Sequence, residues 1–346
     1  MNTKKEIKLP ILFILTGFLF LSHLNGQKAL PESRHYTLVK LADGIYAAVH
    51  NDEGGYAICN AGIIDLGNKT IVIDPFISPM AARDLKQHAE YLTGRPVTLV
   101  LNLDSHNDHN GGNQVFVPGA DIIGTPYTRK YIEENFDKDL EYYREAVPKA
   151  LVKIQEQLRE ATGDEKTELI MWQSEYQALT ESLPEWKMTP PDITINDTMI
   201  IYGSKRSMVV IPTGLGHTPG DMVAWLPEEK ILFLSDQLFV KRHPYFGDGD
   251  PDSLKNNLIQ ILALNPEIAV PGHGPVGDVH SIEAMIDYIE TLTSMVNEGI
   301  QYGADENRII EFPMPVKFND WLISGFYKKN LEFIYHQLIA KTKPKY

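Results

Sequence analysis

The chain has 346 residues, 43% hydrophobic and 23% charged, and its 46 Asp and Glu against 32 Lys and Arg give a formal charge of −14. That length and balance describe a globular protein with a substantial core, one large domain or two small ones, and exclude a disordered polymer. So acidic a chain, with no basic block beyond the short tail Lys341 to Lys345, fits nucleic acid poorly and a neutral or locally steered small molecule better.

In chain order, the first 26 residues read as a secretory signal: a basic start at Lys4, Lys5 and Lys8, an apolar run from Leu9 to Leu21, and a polar exit at Asn25-Gly26. The run falls short of the about 20 apolar residues a membrane span needs. The mature chain, residues 27–346, is therefore expected to be a single domain, periplasmic or secreted, with no stable membrane association. An uncleaved N-terminal anchor is the competing reading. Losing three Lys and one Glu with the signal moves the charge to −16. Cys59 is the sole cysteine, so no internal disulfide is available, and its apolar setting reads as a small buried hydrophobe rather than a reactive thiol. No cysteine precedes it, so the signal is not of the lipoprotein kind.

Short strands are expected at Ile45 to Val49, Tyr56 to Asp65 and Thr70 to Asp74, with turns at Gly54-Gly55 and Gly67-Asn68. A helix over Pro79 to Leu92 precedes a buried strand, Val97 to Leu103, and a short strand follows at 121–124. Residues 126–190 then read as a helical insertion. Val147, Leu151, Ile154 and Leu158 recur at helical spacing, as do Leu169, Trp172, Tyr176, Leu179 and Leu183, with Thr162-Gly163-Asp164 as the break. The plain expectation is an amphipathic hairpin packed on the domain; the sharper one is a lid or dimer surface carrying Trp172 and Trp186.

Strands return at Ile193 to Ile195, Met199 to Tyr202, Met208 to Pro212, Met222 to Leu226, Ile231 to Ser235 and Ile268 to Pro271. Helices are expected at 252–264, 281–298 and 318–341, the last an aromatic-rich segment that packs on the domain or on a partner. Strand-rich then helical, twice over, suits two sheets stacked face to face with helices outside, an α+β arrangement.

Asp104-Ser-His106-Asn-Asp108-His109 packs four potential metal ligands into six residues directly after a buried strand. Imidazoles and carboxylates at that density call for a shared cation, because crowded together they would otherwise desolvate one another at a cost. Further candidates stand at strand ends: His217 in a glycine-rich loop, Asp236 after Ile231 to Ser235, and His273 in Pro-Gly-His-Gly-Pro. His35, His50, His88, His280 and His336 read as surface or satisfied core residues. Lys241-Arg242-His243 lies just past Asp236 and is a candidate anchor for an anionic substrate carboxylate.

In these residues the chain resembles the metallo-β-lactamase superfamily, whose HxHxDH motif is followed by a His, a bridging Asp and a last His. The resemblance spans roughly residues 40–290, with its blocks in order: Asp74, 104–109, His217, Asp236 and His273. It implies a four-layer αββα sandwich and two metal sites, one of Asp104, His106 and His217, the other of Asp108, His109 and His273. Asp236 would lie between the metals with a water or hydroxide, Asp108 would also serve catalysis, and Asp74 would orient ligands rather than bind metal.

Asp104 departs from the motif, which carries histidine there. A carboxylate changes the first site's charge by −1 and offers a harder oxygen donor. Zn(2+), two ions, is the leading expectation; a single zinc, or manganese or iron, is the alternative. The function expected is that of an exported metal-dependent hydrolase using a metal-bound hydroxide on the carbonyl bond of a β-lactam, lactone or other ester, or thioester. The alternatives are a metal-binding protein of the same fold with weak or no activity, and an iron-dependent oxidoreductase. A nuclease is disfavoured by charge and by an insertion of about 60 residues, below the domain-sized norm. Oligomeric state is left open.

Overall fold

The structure, a computed structural model, describes residues 29–342. The expected signal, residues 1–26, lies outside the described residues. Seven strands form the first sheet in sequential order: β1 (Tyr36–Ala42), β2 (Ile45–His50), β3 (Ala61–Asp65), β4 (Thr70–Ile73), β5 (Val97–Leu101), β6 (Asp121–Gly124) and β7 (Ile193–Thr194). The first four pair antiparallel, and β4 to β7 pair parallel. The second sheet runs β12 (Ile268–His273), β11 (Ile231–Phe239), β10 (Asp221–Leu226), β9 (Ser207–Gly214) and β8 (Met199–Tyr202), with β11 and β12 parallel.

Buried strands read as continuous apolar runs because both faces are covered, and the pleat assigns alternate residues to each. In β4, Ile71 and Ile73 face the second sheet, where they meet Met208, Met222 and Phe233. Val72 points the other way, to α1 (Pro79–Thr93), with Ala82 and Leu85. In β11, Phe233 faces the first sheet, while Leu232 and Leu234 pack on α5 (Pro251–Leu262), α6 (Val279–Gln301) and α8 (Gly325–Thr342). The expected four layers, helix–sheet–sheet–helix, are therefore present. Truncating a buried residue such as Ile71 to Ala would cost roughly 2–5 kcal/mol.

Helix α1 starts where Ser78 Oγ accepts from Ala81 N (3.0 Å) with Pro79 in the first turn, and stops at Gly94 in the left-handed region. The insertion is a hairpin of α3 (Pro126–Gln157) and α4 (Gly163–Ser182). Val147, Leu179, Leu183 and Trp186 of this segment pack against Tyr56, Ile58 and Ile77. The remaining α-helices among the described residues are two of a single turn, α2 (Asn107–Asn110) and α7 (Glu306–Ile309).

Four elements differ from the sequence expectation. Strand β1 was not foreseen as a separate element. Residues 56–60 form a buried loop rather than strand; its amides are satisfied by imidazoles, Tyr56 N donating to His35 Nδ1 (3.2 Å) and Ile58 N to His50 Nδ1 (3.0 Å). Strand β11 continues past Asp236 to Phe239, with Ser235 at φ 49 and an irregular register against β12. The last helix begins at Gly325 rather than 318. Trp321 precedes it and stacks on Tyr288 (5.2 Å, 14°), so the aromatic segment packs on the domain.

Candidate metal centre

Every expected donor sits at one end of the two sheets. Asp74 follows β4, and Asp104 to His109 lead from β5 into α2. His217 lies in the loop between β9 and β10, Asp236 in β11, and His273 at the end of β12. Close backbone approach requires small residues here. A Cβ on Gly272 would stand 1.8 Å from Asp236 Oδ1, and one on Gly112 would stand 2.0 Å from the Pro75 carbonyl.

The donors gather in two groups. In the outer group, His106 Nδ1 lies 3.3 Å from Asp104 Oδ1 and 3.2 Å from His217 Nε2. In the inner group, His109 Nε2 lies 3.4 Å from Asp108 Oδ2 and 3.1 Å from Asp236 Oδ1. His273 Nε2 lies 3.2 Å from that same Asp108 oxygen and 3.4 Å from Asp236 Oδ1. Asp236 joins the groups, because its Oδ2 is 3.4 Å from His217 Nε2.

Burial works against a charged imidazole at His106, but Asp104, Asp248 and the neighbouring carboxylates outweigh it and push the residue to about 10. His273 rises to about 9 in the same way, against burial, through Asp236 and Asp108. Burial opposes ionisation of Asp236 as well, yet His273 and His109 hold it well below the usual carboxylate range. A site that draws protons onto buried imidazoles so strongly is an anionic well built for positive charge. His109 Nε2 and Asp236 Oδ1 are also buried without a hydrogen bond, and both point into the inner group. Imidazole and carboxylate donors of this kind fit a divalent cation such as zinc.

The supports around the donors are as specific as the donors. His109 Nδ1 donates to Asp74 Oδ2 (3.2 Å), which also accepts from Ser235 Oγ (2.6 Å), while Asp74 Oδ1 accepts from Leu103 N (2.8 Å). Asp74 thus fixes the tautomer that leaves His109 Nε2 facing the inner group. Asp248, which the sequence did not flag, does the same for His106 by accepting from Nε2 (3.0 Å). Asp221 was missed too; it shapes the His217 loop by accepting from His217 N (2.6 Å), Thr218 N (2.9 Å) and Thr218 Oγ1 (2.7 Å). The aspartate four residues after His217, opening a strand, was the available signal.

Asn102 and Asn113 exchange side-chain amide hydrogen bonds (3.0 and 2.8 Å) and pin the loop that carries the first donors. Asn60 bonds the turn around His273 three times, its N donating to Gly272 O (2.7 Å) and its Nδ2 to Pro271 O (3.0 Å) and Gly274 O (2.8 Å). Cys59 is fully buried beneath the inner group and burial pushes its thiol up to about 12, as expected of an inert cysteine.

The basic cluster does not join the site. Arg242 is buried and bonds both oxygens of Asp52 (2.8 and 2.7 Å). Lys241 pairs with Asp320 (2.6 Å), and His243 is fully buried with Nδ1 2.9 Å from Tyr288 Oη. None of the three lines the cavity, because each charge or ring is already committed elsewhere. His35 is a satisfied core residue, as read from the sequence; His50 is buried with Nδ1 bonded and Nε2 left without a hydrogen bond, and His280 and His336 are exposed.

A cavity of about 500 Å³ opens onto both groups. Its floor is His106, Asp108, His217, Asp236 and His273. The insertion supplies one wall through Tyr143, Met171, Trp172 and Glu175, and Tyr245 and Phe326 close another side. The hairpin therefore both packs on the domain and walls the site. Trp172 is on that wall, whereas Trp186 lies beneath it, donating Nε1–H to Ile77 O (3.1 Å). Burial, with the Asp108 charge adding, pushes the Glu175 carboxyl up to about 8. A second depression of about 610 Å³ beside Arg83, Lys86 and Glu185 holds none of the donors.

The family model described as the metallo-beta-lactamase superfamily matches residues 54–273. Among solved structures, the metallo-beta-lactamase from Pontibacter korlensis is similar at 16% identity and a TM-score of 0.54, covering 74% of this chain and 99% of that one. The DIM-1 metallo-beta-lactamase is similar at 16% identity and a TM-score of 0.53, covering 75% and 99%. VMB-1 is similar at 18% identity and 0.53, covering 75% and 99%.

Proposed function

We propose that the chain, which belongs to the metallo-β-lactamase superfamily, is an exported hydrolase that uses two divalent ions, zinc in the first instance, to open a carbonyl bond in a small molecule. The observation that carries this reading is the convergence of both donor groups on Asp236 at the floor of one cavity. Asp104, His106 and His217 would hold one ion, Asp108, His109 and His273 the other, with Asp236 shared. Ions held there supply Lewis acidity and lower the pKa of water from about 16 to about 7.

The chain's own residues do the rest. Asp74 and Asp248 fix the tautomers of His109 and His106, so that each presents a free nitrogen to its group. Asp108 is the inner-group carboxylate more open to the cavity, and His109 and His273 hold it ionised at about 2 against the pull of burial. It is the acceptor placed to take a proton from an attacking water and return it to a leaving group. Tyr143, Trp172 and Phe326 exclude bulk water from the substrate's body. Candidate substrates are a β-lactam, a lactone or other ester, and a thioester. One similar structure was determined as a metallo-beta-lactamase exposed to ceftazidime, which makes a cephalosporin a natural first substrate to try.

The test pairs metal analysis of the purified mature chain with hydrolysis of a cephalosporin reporter, a lactone series and an ester panel. About two zinc per chain and turnover of at least one class is the expected result. Full metal loading with no turnover on any class would sink the hydrolase reading and leave a metal-binding protein.

A further inference from the structure

The cavity carries charge that the metal donors do not account for. Besides those donors it is lined by the carboxylates of Asp139, Glu175 and Asp248, and among the described lining residues Lys329 is the one cation. Lys329 is exposed and lies over the Phe326 ring at 5.2 Å from its centroid. Asp248 is engaged by His106, and Asp139 accepts from Asn107 Nδ2 (2.9 Å). Glu175 is different: it faces the cavity from α4 beside Met171 and Trp172, and no hydrogen bond or ion pair reaches it from the described residues. The cationic cluster that would anchor a substrate carboxylate lies off the cavity, Arg242 buried against Asp52 and Lys241 on the surface with Asp320.

An acidic side chain left unpaired in a largely apolar wall is costly unless something brings it a partner. The partner that the wall lacks is a hydrogen-bond donor or a cation. Where Glu175 is ionised, a ligand carboxylate held against this wall, away from the metal donors on the floor, would meet like charge from Glu175 and Asp139, with one exposed lysine beside it.

We propose that Glu175, on the inserted helix, determines specificity, and that the site takes hydrophobic esters or lactones bearing a positive charge or hydrogen-bond donor and discriminates against carboxylate-bearing substrates. This rests on the hydrolase reading above and narrows it: a β-lactam, which carries a carboxylate, becomes a poor substrate. The aromatic wall suits the same ligand, since Trp172, Tyr143 and Phe326 offer ring faces to a cationic or apolar body.

The test uses three p-nitrophenyl esters of similar acyl length, ending in methyl, trimethylammonium or carboxylate, on the metal-loaded protein. The assay is run at pH 8.5, above the value of about 8 to which burial pushes Glu175. Relative to the methyl ester, kcat/KM should be about tenfold lower for the carboxylate and equal or higher for the trimethylammonium ester. Glu175→Gln should bring the three within about threefold of one another, and Glu175→Lys should reverse the order. A parent that treats the carboxylate ester as well as the methyl ester overturns the proposal, as does a Glu175→Gln variant that keeps the parent's order.

Binding is read separately, through quenching of Trp172 fluorescence by hexyltrimethylammonium, hexanol and hexanesulfonate, with Trp172→Phe as the control for signal origin. If neither these esters nor the cephalosporin and lactones above turn over, the hydrolase reading fails while the binding order still decides the pocket's preference. Tighter hexanesulfonate than hexyltrimethylammonium, or an order unchanged in Glu175→Gln, would overturn it there too.

Discussion

The inner and outer donor groups share Asp236 but are built to different standards. The inner group is supported by Asp74, which is 2% exposed and tied to His109, Ser235 and the Leu103 amide at once. The outer group leans on Asp248, whose side chain is 49% exposed, and on a loop shaped by Asp221. His109 is wholly buried, whereas the His106 side chain is 17% exposed. A buried, multiply bonded support fixes a ligand closely, while an exposed one is weakened by water and salt. The superfamily's histidine is also replaced in the weaker group, at Asp104. His109 is therefore the firmly held imidazole of the centre, and the His106 and Asp104 side of the outer group is the place where affinity and metal choice are adjustable.

The largest test of that contrast removes the shared residue. Asp236→Ala should release metal from both groups and lower kcat by about 1,000-fold or more, read by metal analysis and steady-state rates. Retention of one full equivalent would show that a group stands without it. Asp74→Asn keeps the size and the acceptor for Leu103 but loses the charge facing His109. Inner-site affinity should fall about 10–100-fold in chelator competition, with the outer site changed less. Equal losses at both sites would erase the distinction.

Protons offer a third test. In the metal-free protein His106 at about 10 and His273 at about 9 lie above the unfolded value near 6.5. Their contribution to stability is then fully present below about pH 6.5 and is lost as pH rises through 9 and 10. Metal must displace those protons, so its affinity should rise with pH over the same range. Chelated protein should lose thermal stability from pH 6.5 to 10, and loaded protein should lose less; parallel curves would contradict the assignment. The smallest effects belong to the outer group. Asp248→Ala should weaken only that group, by about tenfold or less, and Asp104→His should tighten it. Unchanged affinity and stoichiometry in Asp104→His would remove that residue from the explanation.

Much of this was legible in the sequence because the donors sit at the ends of apolar runs, and such runs mark buried strands. Ile231 to Ser235 located Asp236, and Val97 to Leu103 located Asp104, without any knowledge of partners. The supports were harder to see. Asp248 and Asp221 are single acids outside any periodic pattern, and only the chain's return brings Asp248 to His106 across 142 positions. Arg242 misled for the same reason: a basic residue reads as exposed until Asp52, 190 positions away, is found beside it. The loop at 56–60 read as strand because it is apolar and buried; amide hydrogen bonds to imidazoles in place of a sheet ladder leave no periodic trace.

Asn60 sets a timetable for the molecule. Its three bonds to the turn around His273 join positions more than 200 residues apart, one just before β3 of the first sheet and the other at the end of β12 in the second. His273 cannot reach Asp108 and His109 until β12 has docked, so the inner ligand set waits on a pairing across most of the chain. Pairing over such a separation forms late and slowly. Uptake of the inner ion would then report the finished chain rather than guide it, and an unfinished chain would offer the ion no complete seat.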